Sequence, residues 1–124
     1  MVNLGEYKIQ INVPNDFSMF ESPYEEGKYI HFISPTGSYV FLFKGGLVKL
    51  PLVNRENAEI LEFKKIQESC SEFGIKDSVF FRETLFLNTN IRFGYDNVRS
   101  VDVEKFEEII NSIKIQADQG TGLK

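Results

Sequence analysis

Hydrophobic and polar residues alternate strictly over Tyr7–Val13: Tyr7, Ile9, Ile11 and Val13 point one way, and Lys8, Gln10 and Asn12 the other. A period of two is that of a half-buried β-strand, and Pro14-Asn15-Asp16 supplies the turn chemistry that ends it. Phe17 to Gly27 shows no period and reads as irregular, with Phe17, Met19 and Phe20 partly buried. Tyr29–Ser34 and Ser38–Lys44 read as a hairpin, because Ser34-Pro35-Thr36-Gly37 has Pro second and Gly fourth, as a type I turn prefers. The second of these strands is apolar on both faces through Tyr39-Val40-Phe41-Leu42-Phe43. It is therefore expected at the centre of a sheet covered from both sides. Gly45-Gly46 breaks the pattern. Leu47–Val53 suits another strand, but Pro51 lacks a ladder donor and confines it to an edge or an irregular segment.

From Arg55 to Phe73 the pattern predicts a helix. Phe63, Ile66, Cys70 and Phe73 fall on one stripe at helical spacing, with Lys64, Lys65, Glu68 and Glu72 opposite. Asn54 suits its N-cap, Glu56 and Glu59 its positive end, and Gly74 its left-handed closure. A second hairpin follows, with strands Ser78–Leu87 and Ile91–Val98 around Asn88-Thr89-Asn90. A symmetric three-residue loop sets Leu87 against Ile91, Leu85 against Phe93 and Glu83 against Tyr95. On the other face it sets Phe86 against Arg92, Thr84 against Gly94 and Arg82 against Asp96, the last a cross-strand ion pair. A last helix over Asp102–Ile113 is capped by Asp102 and buries Val103, Phe106, Ile109, Ile110 and Ile113.

The order β-β-β-(β)-α-β-β-α, with short connections, predicts an α+β domain over residues 1–116. Its antiparallel sheet has five to six strands and packs with two main helices. Residues 117–124 read as a polar tail.

The chain has 124 residues, 42% hydrophobic and 26% charged, which is the composition of one globular domain rather than a disordered chain. Twelve Phe, five Tyr and no Trp favour β-structure and leave aromatic surface for a ligand or partner. The net charge of −4 and the lack of a basic cluster beyond Lys64-Lys65 set nucleic acid aside. A single cysteine, Cys70, makes no internal disulfide and favours a reducing compartment. No apolar run approaches a membrane span, and the first six residues lack the basic start and apolar core of a signal peptide. The expected location is cytoplasmic.

Catalytic and metal chemistry find little support. His31 is the only histidine and reads as a sheet residue, not a general base; Cys70 sits on an apolar stripe, where a thiol behaves as a small hydrophobe. One His and one Cys cannot furnish a structural zinc site, and Asn15-Asp16 and Asp96-Asn97 lack the spacing of a calcium loop. No glycine-rich phosphate loop is present, so no cofactor is expected. Two groups stand out. Glu83 shares an apolar face with Phe81 and Leu85. It reads first as a residue near the sheet margin that reaches solvent, and alternatively as a buried carboxylate of raised pKa that lines a cleft and hydrogen-bonds Tyr95. Phe80, Arg82, Phe86 and Arg92 share the opposite face, and arginines beside aromatics are the composition of a protein-binding patch. That face is either exposed or covered by a helix. The acidic residues Glu104, Glu107 and Glu108 read as the solvated side of the last helix.

The opening strand running into Pro14-Asn15-Asp16-Phe17 and the closing stretch Phe106 through Ile109-Ile110-Asn111-Ser112-Ile113-Lys114 resemble the ends of PsbP-like and DcrB-like domains. Phe17 stands where such domains commonly have Trp. The resemblance implies a binding or assembly module, and it transfers no functional residue. The expected function is non-enzymatic binding of a protein partner through the sheet or an edge strand. A small-ligand cleft domain and a secretion-type chaperone are the alternatives. The small size and acidic charge shared with such chaperones add a homodimer to the expected partners, and an enzyme using Glu83 or His31 is the remote rival.

Overall fold

The computed structural model of the chain describes residues 2–4, 7–24, 27–45, 53–86 and 89–117. The doubly apolar stretch around Phe41 lies where its pattern demands. Strand β5 (Tyr39–Gly45) pairs on one side with β4 (Gly27–Ile33) and on the other with β9 (Ile91–Val98), and Val40, Phe41, Leu42 and Phe43 are all buried. A fully buried side chain of this kind contributes roughly 1.5–3 kcal/mol. The turn before β5 is the expected one, with the Gly37 N–H donating to the Ser34 carbonyl at 3.0 Å and Gly37 at φ +92°.

β5 is an interior strand, third in a seven-stranded antiparallel sheet of order β3-β4-β5-β9-β8-β7-β6, where β3 is Ser18–Tyr24, β6 Ala58–Ile66, β7 Ser69–Lys76 and β8 Val79–Phe86. β1 (Val2–Leu4), β2 (Tyr7–Gln10) and β10 (Lys114–Ala117) form a second sheet in the order β1-β2-β10. A 3₁₀ turn (Ser100–Asp102) leads into α1 (Val103–Asn111). The small sheet and α1 cover one face of the large sheet. Leu4, Ile9, Ile30, Phe32, Val40, Leu42, Ile91, Phe93, Tyr95 and Val98 pack there with Phe106, Ile109 and Ile110. On the other face Phe41, Phe81 and Val53 make a smaller core flanked by Tyr29 and Tyr39.

This is not the α+β layering expected from the sequence. The described residues hold ten strands in two sheets and one α-helix, where two helices and a sheet of five to six strands were predicted. The predicted helix over Arg55–Phe73 is instead the hairpin β6–β7, turned at Gln67-Glu68 with Gln67 at φ +48°. Pairing overrides the helix-favouring Glu, Lys and Leu of this stretch: β7 is zipped to β8 from Ser69–Phe86 to Lys76–Val79. Asn54 caps no helix; its Oδ1 accepts the Glu56 N–H at 2.9 Å in the turn entering β6. Gly74 closes no helix either. A Cβ there would come within 2.7 Å of the Phe81 ring, so the glycine lets that ring lie on β7.

Three smaller expectations are also corrected. Residues Ser18–Tyr24, read as irregular, form the outer strand β3, which runs through Pro23 as an edge strand can. β2 stops at Gln10 rather than Val13. Asp102 makes no cap hydrogen bond; its carboxylate accepts from Arg99. Leu47–Leu52 and residues 118–124 of the predicted tail lie outside the described residues, whereas Ala117 belongs to β10.

Candidate functional site

The hairpin β8–β9 carries every candidate residue, and its register decides which of them meet. Phe86 pairs with Ile91, so residues 87–90 form a four-residue connection and the register moves by one from the symmetric expectation. Such a slip exchanges the faces of one strand relative to the other. Glu83 opposes Gly94 rather than Tyr95, Arg82 opposes Tyr95 rather than Asp96, and Arg92 opposes Leu85 rather than Phe86. The predicted register returns only at Phe80–Val98, beyond a bulge where Asp96-Asn97 stand against Phe81 with Asn97 at φ +60°.

Two buried ionic clusters result, one on each face. On the face away from α1, Glu83 is 4% exposed, buried rather than reaching solvent at the sheet margin. Its Oε1 accepts from Arg55 Nη2 at 2.8 Å and from the Val53 N–H at 3.2 Å, and its Oε2 accepts from Arg92 Nη1 at 3.1 Å. Two guanidinium groups and a main-chain donor thus compensate the buried carboxylate. Arg55 also reaches Glu72 at 3.1 Å and lies 4.7 Å above the Phe81 ring. Beside it, Asp96 accepts from Tyr39 Oη and Lys76 Nζ, both at 3.2 Å. Burial and the Asp96 carboxylate push the Tyr39 pKa well above its ordinary value.

On the α1 side, Arg82 Nε donates to Glu107 Oε2 at 2.6 Å, Nη1 to Ser71 Oγ at 2.7 Å and Nη2 to Glu62 at 3.3 Å. Tyr95 Oη donates to the same Glu107 oxygen, and burial together with that bond raises the Tyr95 pKa. Glu107, read as solvated, is therefore the hub of the contact between helix and sheet. No apolar periodicity marks it; only the register of β8 on β9, which brings Arg82 and Tyr95 side by side, could have pointed to it.

The four residues expected to form a partner patch do not share a face. Arg82 and Phe86 lie under the α1 side, where Phe86 packs on Phe93 at 5.5 Å, and Phe80 stacks on Phe73 at 5.7 Å. Arg92 belongs to the Glu83 cluster on the opposite face. The Glu83–Tyr95 cleft is likewise split: the two side chains are on opposite faces and have different partners. What stays open beside α1 is a groove of about 400 Å³ over Ser71, Thr84, Phe86 and Phe93, walled by Lys64 and Ile110. His31 stacks on Tyr29 at 4.2 Å and meets Tyr39 edge-on, with Cys70 two strands past β9. Among the described residues, no group of three His, Cys, Asp or Glu side chains could hold a metal ion.

The exposed surface that the pattern hid is β6. Read as a helix, Phe63 and Ile66 belonged to a buried stripe. As the outermost strand of the large sheet they are 59% and 63% exposed, beside Ile60 and Leu61 at 42% and 48%. No protein-family model, curated protein or solved structure matches the chain. Function therefore has to be argued from this geometry. Among the described residues, no helix is long and apolar enough to cross a membrane.

Proposed function

We propose that the chain is a non-enzymatic binding or assembly module, and that a protein partner joins it by adding a strand along the outer edge of β6. The observation that carries this is the exposure of Ile60, Leu61, Phe63 and Ile66 on one nine-residue outer strand. An outer strand offers a row of main-chain donors and acceptors, and sequences that avoid pairing blunt such edges with charge, proline or shortness. β6 carries Lys64, Lys65 and a bulge at Leu61, but it is long, contains no proline and presents large apolar side chains. Strand addition draws affinity from main-chain hydrogen bonds and specificity from alternate side chains. The resemblance of both chain ends to PsbP-like and DcrB-like domains, which serve as binding modules, supports the same reading.

The test uses the geometry of β6. The two-residue turn Gln67-Glu68 closes on the hydrogen-bonded pair Ile66–Ser69, so Lys64 and Glu62 also bond inward to β7, and Phe63 and Lys65 direct their main-chain groups outward. Phe63→Pro removes an outward donor and leaves the β6–β7 ladder intact. A photo-crosslinking side chain at Leu61 or Ile66 should give adducts in source cells, and the same group at exposed Val101 should not. Phe63→Pro should abolish the adducts with the thermal midpoint held within a few degrees. Equal adducts from Val101, or adducts that survive Phe63→Pro, remove the reading.

A second reading, a small-ligand cleft, draws on the groove beside α1, whose volume of about 400 Å³ is in the range of ligand pockets. It predicts saturable shifts at Phe86 and Phe93 on titration with small aromatic probes and none along β6.

A further inference from the structure

The sequence of β6 is self-complementary, and we infer that the strand it accepts is β6 of a second copy of this chain, paired antiparallel about Phe63. This rests on the strand-addition reading and names its partner.

In an antiparallel homodimer each residue i faces residue s − i of its twin, where s is the same for every pair. Outward main-chain groups lie at Phe63 and Lys65, so these odd-numbered positions must meet odd-numbered positions, and s is even. Between the bulge at Leu61 and the strand's last residue, the centres available are Glu62, Phe63, Lys64 and Lys65. A centre on Glu62 sets that carboxylate against its own copy, and a centre on Lys64 or Lys65 sets two ammonium groups together; like charges directly opposite are destabilising. A centre on Phe63 sets Phe63 against Phe63 and Glu62 against Lys64 of the twin, twice by symmetry.

The side chains lie suitably for that pairing. Glu62 and Lys64 are on the α1 side of the sheet, 42% and 58% exposed, and they meet within their own strand only at 3.8 Å. Glu62 is held by Arg82 Nη2 at 3.3 Å, which fixes its carboxylate near the edge that the twin's Lys64 would approach. Phe63 lies on the other face, where it borders a cavity of about 190 Å³ with Arg55, Cys70, Glu72 and Leu85. Two such rings would meet across the dyad. Ile60 and Ile66, which face one another across the dyad, fall at the two ends of the shared stretch. The product is one continuous fourteen-stranded sheet, seven strands from each copy.

Sedimentation velocity on the purified chain across a concentration series is the first measurement. Reversible association above the 14.3 kDa monomer is expected. Glu62→Lys or Lys64→Glu alone creates two like-charge contacts and should weaken the dimer by about tenfold or more. The double variant Glu62→Lys/Lys64→Glu restores both pairs and should return to within about threefold of the parent. In a Cys70→Ser background, Phe63→Cys should oxidise to a disulfide-linked dimer, since Cα atoms of a hydrogen-bonded antiparallel pair sit about 5.5 Å apart. Failure of the double variant to recover overturns the register. A monomer at every concentration overturns the second copy but leaves strand addition standing if Leu61 and Ile66 still crosslink to another protein. A dimer that survives Phe63→Pro assembles elsewhere, and overturns the inference.

Discussion

His31 lies between aromatic rings, stacked on Tyr29 and edge-on to Tyr39, with Phe20 and Phe41 opposite it on the neighbouring strands. Burial lowers its pKa below the ordinary 6.5. The unfolded chain therefore takes up a proton near pH 6.5 that the folded chain resists. The contribution of His31 to stability is complete above that pH and is lost as the pH falls from 6.5 through the lowered folded value. Denaturant midpoints measured from pH 8 to pH 5 should decline over that window, and His31→Gln should flatten the decline. Glu83 is a buried carboxylate held by two guanidinium groups and a main-chain N–H. Glu83→Ala would remove the buried acceptor that Arg55, Arg92 and the Val53 N–H share, so it should cost about 3 kcal/mol or more in chemical denaturation. Glu72→Ala removes a half-exposed partner of Arg55 and should cost about 1 kcal/mol or less. Equal losses would mean that Glu83 is not the anchor of this cluster.

At the scale of elements, the legible parts were those in which one period dominates. The doubly apolar β5, the bounds of β9, the turn at Ser34–Gly37 and the apolar stripe of α1 all follow from local pattern. The hairpin β6–β7 was illegible because Phe63, Ile66, Cys70 and Phe73 satisfy a helical stripe, while the turn that contradicts it, Gln67-Glu68, carries neither Gly nor Pro. The β8–β9 pair was legible as a hairpin but not in register. A four-residue connection and a bulge at Asp96-Asn97 shift the pairing by one and then restore it. Gly94 holds the only local clue to that shift. A Cβ there would stand 1.8 Å from the Arg82 carbonyl oxygen, so the glycine admits the β8 main chain. Alternation put Glu83 on an apolar face but favoured a margin position reaching solvent; its burial and its arginine partners were not legible, because Arg55 and Arg92 reach it from a preceding turn and across a slipped register.

For the molecule as a whole, the large sheet is two antiparallel meanders, β3–β4–β5 and β6–β7–β8–β9, joined only where β5 meets β9. Neither meander closes its core alone. Phe41 from the first packs with Phe81 from the second, while Val40 and Leu42 share the other core with Ile91, Phe93 and Tyr95. The small sheet ties both chain ends over this joint, through Leu4 and Ile9 below and Ile115 paired with Ile9. Opening the joint therefore exposes both cores at once, and the two meanders should unfold as one cooperative unit. Native-state hydrogen exchange should show the amides of Val40, Leu42, Phe93 and Tyr95 opening only with global unfolding, at the free energy and denaturant dependence of the whole chain. The outward amides of Phe63 and Lys65 should exchange fast in dilute solution and slow with rising protein concentration, because their protection would come from the twin strand alone. Protection of β8 and β9 that persists after β3–β5 have opened would mean that the second meander is stable by itself, and that the β5–β9 seam does not govern the fold.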